Sequence, residues 1–234
     1  MKLKGLCFAV CSLAAVARGD APRALENAVN RFMQDENCWA YTQVIRRLDK
    51  KEGETVSTFD PSKPIEQRFA LIKWKGRPPT TAESQRWLKR RQNDVKQRDG
   101  HSFVELLDVE RAKHLRDEGD LEIFAVPLKK EMIKNLVPTD KFIAEVGVSR
   151  SRETVEEFSL RTVEPFRIAG IGEVNSAEGD VTFQRIDDRY APQPTLVRTS
   201  GSGSALFVKV DRRVEISFSD HRRVIPSRND YRTP

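Results

Sequence analysis

The stretch FIAEVGVSRSRETVEEFSLRT, residues 142–162, decides the fold class. Phe142, Ala144, Val146 and Val148 recur at every second position, as do Phe158, Leu160 and Thr162, with Ser159 and Arg161 between the latter. Successive side chains of a strand point to opposite faces, so the alternation predicts strands at 142–149 and 154–164, each with one apolar and one wet face. The polar Ser149–Glu153 stretch is too short for a helical crossover, which predicts an antiparallel hairpin.

The pattern continues in both directions. Val214, Ile216 and Phe218 oppose Glu215, Ser217 and Ser219. Further strands are expected at 101–109, 121–126, 166–172, 180–187, 195–199, 205–210 and 213–219. A charged connection, Glu110–Asp120, joins the first two, and turns are expected at Asn175–Gly179, at Ser200–Ser204 (SGSGS) and at Asp211–Arg212. Leu128–Val137, between two prolines, reads as a short helix. Upstream, Trp39–Leu48 and Glu54–Phe59 pair across the polar Asp49–Gly53 turn. FDPSKP (59–64) interrupts pairing, and Phe69–Lys75 resumes it.

Two longer helices complete the pattern. In residues 20–36, Leu25, Ala28, Val29, Phe32 and Met33 follow i, i+3, i+4, i+7, i+8, with Asp20 as the N-cap and Pro22 in the tolerated first turn. Thr80 and Glu83 have capping-box spacing and start a helix over Thr81 to about Gln97. Its apolar face is thin (Ala82, Trp87, Leu88, Val95), and six cations crowd one end: Arg86, Lys89, Arg90, Arg91, Lys96 and Arg98. These are candidates for an anionic-partner patch, with an ordinary solvated helix face as the alternative.

The N-terminus speaks to compartment. In MKLKGLCFAVCSLAAVA (1–17), Lys2 and Lys4 precede an uncharged run that ends in the small-x-small pair Ala15 and Ala17, as in a secretory signal peptide. The run is shorter than the ~20 residues of a membrane span, and no later segment is long and apolar enough to make one. The expected organisation is a signal peptide at 1–17, a single domain at 18–225 and a flexible tail at 226–234. Loss of Lys2 and Lys4 takes the net charge from +6 to +4 and leaves Cys38 alone, so an intramolecular disulfide is excluded. For an exported basic protein, anionic lipid or envelope polymer is the expected partner rather than nucleic acid.

Composition excludes a disordered, collagenous or disulfide-dense chain: 38% of the 234 residues are hydrophobic, Gly and Pro number 12 each, and Cys only 3. Catalytic and cofactor patterns are missing from the sequence. There is no HExxH, the three histidines (His101, His114, His221) lack metal-ligand spacing, and Gly201 and Gly203 are not followed by the Lys-Ser/Thr of a phosphate loop. Asp220 and His221 are adjacent on a strand and so diverge, which opposes a triad with Ser217 or Ser219. No enzyme activity and no cofactor is expected.

The order of elements resembles the lipoprotein carrier superfamily, the LolA/LolB/RseB-like fold, over most of residues 22–225. The resemblance is carried by LENAVNRFMQDENCWAYTQ (25–43), by the FDPSKP and GRPPT (76–80) breaks, and by the closing hairpin ALFVKVDRRVEISFSDHRRV (205–224). It implies an α+β fold in which a strongly curved antiparallel sheet, an unclosed half-barrel, holds two or three helices on its concave face. It also implies a periplasmic, non-catalytic protein that binds lipid or lipoprotein acyl chains. Candidate cavity residues are Phe142, Phe158, Leu160, Phe166, Ile168, Phe183, Phe207, Ile216 and Phe218, each of which equally suits a filled core. The alternative function is an envelope-stress or regulatory module that grips a protein through the basic stripe.

Exported protein is expected to begin at Arg18 or a residue or two later. N-terminal sequencing checks this, and Met1 on exported material would overturn it.

Overall fold

A computed structural model describes residues 22–35, 38–97, 106–129, 138–168, 172–205 and 208–227. The predicted signal peptide, residues 130–137 of the helix expected over Leu128–Val137, and candidates Phe207 and Arg98 lie outside the described residues, as do the side chains of Ile168 and Lys96; Leu128 itself forms an isolated bridge with Leu107. Helix α1 spans Arg23–Asp35 and α2 Thr81–Gln97. The strands are β1 Trp39–Arg47, β2 Thr55–Phe59, β3 Phe69–Lys73, β4 Lys113–Glu118, β5 Leu121–Pro127, β6 Phe142–Ser149, β7 Thr154–Thr162, β8 Phe166–Ile168, β9 Gly172–Gln184, β10 Gln193–Ala205 and β11 Val208–Arg223. No helix among these residues is long and apolar enough to cross a membrane.

All eleven strands form one antiparallel sheet, ordered β3-β2-β1-β11-β10-β9-β7-β6-β5-β4, with β8 on β9. The α+β class is as expected, but the half-barrel is not: the sheet is neither strongly curled nor closed. Helix α1 packs on β6 and β7, and α2 on β3. The helices therefore stand over opposite ends of the sheet, and no single core draws it round them.

Register places both helices on the same face. Residues directly opposite in an antiparallel pair share a face. One such row runs across the sheet as Phe124, Val146, Phe158, Val181, Val197, Ile216 and Ile45. At the α1 end the row is buried, with Phe124 2% and Val146 0% exposed, in a core shared with Leu25, Ala28 and Val29. From Phe158 to Ile45 the row is half-buried.

The opposite face carries a ladder of charge. Lys73 and Arg46 flank Glu54, and Arg46 and Arg198 flank Glu215. Farther along, Arg161 and Arg116 flank Glu145. Pairs of this exposure contribute little individually, but they fill the wet face and keep it from presenting apolar surface.

Four expectations are corrected. The Glu110–Asp120 connection contains β4, whose six residues are all exposed and so carry no alternating pattern. It forms because β5 offers a free edge, and its charges shield the new edge. The strand expected at 101–109 is, within the described part, an isolated bridge at Leu107 followed by a 3-10 turn, Val109–Arg111. The turns at Asn175–Gly179 and Ser200–Ser204 do not form, because both segments lie inside the 13-residue strands β9 and β10. Asp211–Arg212 likewise lies within the 16-residue β11. The small residues in SGSGS act through close approach rather than turning. Ser176 and Ser202 share a 2.8 Å hydrogen bond across the pair, and a Cβ on Gly203 would run into the carbonyl oxygen of Glu173.

The N-terminal helix is anchored at its far end. Asp35 lies in the last turn, where the helix dipole disfavours an anion. Its carboxylate accepts the Ala191 N–H at 3.0 Å and pairs with Arg223 at 3.3 Å, while Arg223 stacks on the Tyr190 ring at 3.5 Å. At the start of α2 the capping box forms as expected. Thr80 N–H donates to Glu83 Oε2 at 2.9 Å, and Glu83 N–H to Thr80 Oγ1 at 3.3 Å. The Arg77 guanidinium, 2.7 Å away, and the bonds that Thr80 N–H and Oγ1–H donate hold the Glu83 carboxyl down to about 2.

Substituting Gly203→Ala is expected to destabilise the β9–β10 pairing by about 1–3 kcal/mol. Gly201→Ala, whose new methyl meets its nearest atom at 3.4 Å, should cost less. Amide exchange at residues 172–176 and 201–205 distinguishes the two.

Candidate functional site

The apolar face between the two helices is not filled. Along β1, Tyr41, Gln43 and Ile45 point to that face, paired with Phe59, Ser57 and Thr55 on β2. Phe59 in turn pairs with Phe69 on β3, which makes an aromatic ladder. Ring centroids lie 5.2 Å apart for Tyr41–Phe59, 4.9 Å for Phe59–Phe69 and 5.3 Å for Tyr41–Phe218. With Phe32 from α1, Pro194 from β10 and His221 from β11, these rings line a cleft of about 320 Å³. Arg68 lines it too, its Nε donating to the Lys63 carbonyl at 3.0 Å.

A second cleft, of about 500 Å³, opens farther along β1. Gly53 makes its rim possible, because a Cβ there would strike the Lys75 carbonyl oxygen at 2.6 Å. The loop after β1 thus closes against Lys75 and Gly76, both in the left-handed region at φ 51° and 84°. Trp74 and Trp87 line this cleft with Arg47, Lys50, Lys75, Arg90 and Arg91. Arg47 pairs with Asp49 at 2.5 Å, and Lys75 with Glu52 at 3.3 Å. Arg91 stacks on Trp87 at 5.5 Å and donates to Gln43 Oε1 at 3.2 Å; Ser57 Oγ reaches the same oxygen at 3.5 Å. Gln43 therefore stands between the clefts.

Of the nine sheet candidates, the seven whose side chains are described divide between these environments. Phe142, Phe158, Leu160 and Phe183 pack against the α1 core, with Phe142 edge-on to buried Phe166 at 5.5 Å and Phe183 edge-on to Phe32 at 5.9 Å. Phe218 lines the aromatic cleft, and half-buried Ile216 lies two residues along the same face. Of the basic candidates, Arg90 and Arg91 line the second cleft. Arg86 and Lys89 are exposed, Arg86 Nε donating to the Ala82 carbonyl one turn back at 3.3 Å.

Sequence reasoning missed Tyr41, Phe59, Phe69, Trp74 and the loop cations Lys50 and Lys75. Pairing 39–48 with 54–59 directly across the 49–53 turn puts Gln43 opposite Phe59, and the observed register, two residues away, puts Tyr41 there. The third histidine changes meaning as well. Asp220 sits at φ 55° and accepts from Ser219 Oγ at 3.1 Å, while the His221 ring faces Tyr41 at 6.2 Å. Among the described residues no cluster of His, Cys, Asp or Glu could hold a metal ion.

No family model matches the chain, and no curated protein matches it. Among solved structures it is similar to one described as "Crystal structure of MucB in complex with MucA(peri)", with 10% identity and a TM-score of 0.24, over 88% of this chain and 100% of that one. At that TM-score neither the fold nor the clefts are read from it.

Burial holds His221 below its ordinary value, against the opposing pull of Asp220 and of a backbone hydrogen bond with Pro194. Arg68 lines the same cleft, and Tyr41 is the other titratable ring there. Below the unfolded value of about 6.5 the unfolded chain takes up the proton more readily, so stability falls with pH. His221→Phe is expected to flatten the loss of melting temperature between pH 7 and 5; an unchanged slope would place the titration elsewhere.

Proposed function

We propose that this protein is an exported, non-catalytic binder of acyl chains, of lipid or of lipoprotein, and that the chain enters the aromatic cleft between α1 and the β1–β3 end of the sheet. One observation carries the reading. Among the described residues, helices α1 and α2 leave the apolar face uncovered at a place lined by Phe32, Tyr41, Phe59, Phe69 and Phe218. Rings arranged in this way offer contact area rather than reacting groups. A volume of about 320 Å³ lies at the lower end of small-molecule pockets, ~300–1,000 Å³, and suits one chain rather than several. Each CH₂ moved from water into it contributes ~0.8 kcal/mol. The periplasm is the compartment this reading implies, through the signal-like N-terminus.

Paired aspartates test it. Leu160 is half-buried against the α1 core, so Leu160→Asp sets a carboxylate against apolar contacts, a cost taken from the ~5–15 kcal/mol stability of a domain. That variant is expected to melt well below the wild type. Phe218 borders open volume, so Phe218→Asp is expected to fold, with near wild-type melting temperature, and to lose binding of a fluorescent fatty acid. Native mass spectrometry of the wild type should show co-purifying lipid. Absence of both lipid and fatty-acid binding in the wild type would overturn the reading.

A further inference from the structure

The second cleft has a chemistry of its own. Of the cations lining it, Arg47 and Lys75 are held by Asp49 and Glu52. Arg91 is bonded to a neutral amide and stacked on Trp87. Lys50 and Arg90 have no carboxylate within ion-pair distance among the described residues. Glu52 is the one acid lining the cleft, and it is matched by Lys75. The unmatched charge is thus three cations from two separate elements, the loop after β1 and the middle of α2. Arg90 and Arg91 follow Trp87 by three and four residues and so share its helix face, while Lys50 reaches the same cleft from the loop after β1.

The clefts lie along one strand face. Tyr41 lines the first and Ile45 the second, four residues and about 13 Å apart at the usual rise of a strand. Gln43 and Arg91 stand at the junction. A ligand with an apolar tail and an anionic head matches that order of surfaces.

We infer that Lys50, Arg90 and Arg91 form a headgroup site for a single-chain lipid that ends in a phosphate monoester and whose acyl tail occupies the aromatic cleft. This rests on the acyl-chain reading and narrows it from any acyl chain to an anionic amphiphile. Guanidinium groups bind phosphate oxygens through paired N–H donors, and the lysine adds a point charge.

Calorimetry below the micelle concentration, with the purified protein, uses three probes: lysophosphatidic acid, lysophosphatidylcholine of the same chain length, and inorganic phosphate. The anionic lipid is expected to bind about tenfold tighter than the choline lipid, the worth of roughly one charge-assisted hydrogen bond. The double variant Lys50→Gln, Arg90→Gln should erase that preference at an unchanged melting temperature. Inorganic phosphate alone should bind far more weakly than the anionic lipid. Equal affinity for the two lipids in the wild type overturns the headgroup site and leaves the acyl-chain reading standing. Failure of both lipids to bind overturns both. Phosphate binding as tightly as the anionic lipid overturns the shared ligand and makes the cleft a site for a free anion. Preference for the anionic lipid that survives the double variant overturns the assignment to these residues. Should the double variant fail to fold, Arg90→Lys, which keeps the charge but loses the paired donors, is expected to reduce the preference, and an undiminished preference overturns the role of Arg90.

Discussion

The geometry of this protein follows from a mismatch between the area of an apolar sheet face and the two helices that cover it. Ten strands lie side by side at ~4.8 Å, so the sheet is roughly 40 Å across. A helix with its side chains is ~10–12 Å wide. Helix α1 has a strong apolar stripe and settles on β6 and β7, where it completes a dry core. Among the described side chains of helix α2 only Trp87 is buried, and the capping box and the Arg77–Glu83 pair fix its start. Between them the apolar row through Val181, Val197 and Ile216 is only half-buried.

The same arithmetic explains the charge. A sheet covered on one side only must present a wet second face, and this one is wide. Glu54, Glu145 and Glu215 each sit between two basic side chains on neighbouring strands, so Arg46, Arg116, Arg161, Arg198 and Lys73 are spent on that face. The basic residues that remain unmatched inside a cleft, Lys50, Arg90 and Arg91, are few and stand together. That concentration, rather than the overall basic balance, points to an anionic ligand.

The two clefts share walls. Trp87 contacts Phe69 at 6.4 Å on one side and carries Arg91 on the other, so the aromatic and cationic surfaces are built from the same contacts between α2 and the β1–β3 strands. Movement of α2 would alter both at once. At the other end of the apolar cleft, Phe32 belongs to α1, whose C-terminus is pinned through Asp35, Arg223 and Tyr190. One wall is therefore rigidly anchored, and the other rests on a helix with little buried surface.

Much of this was legible in the chain itself. Two-residue alternation at 142–149 and 154–162, the stripe from Leu25 to Met33 and the Thr80–Glu83 box are local patterns, set by side-chain direction and by backbone groups a few residues apart. They determined the antiparallel class and both helices. Turn chemistry misled where small residues serve packing: Gly201 and Gly203 let long strands approach, which depends on the neighbouring strand and not on their own segment. The charged strand β4 was invisible because an edge needs no buried face. Which apolar residues line space and which fill it was decided by tertiary structure alone. Leu160 and Phe218 read identically in sequence, and only the position of α1 over one and not the other separates core from cleft.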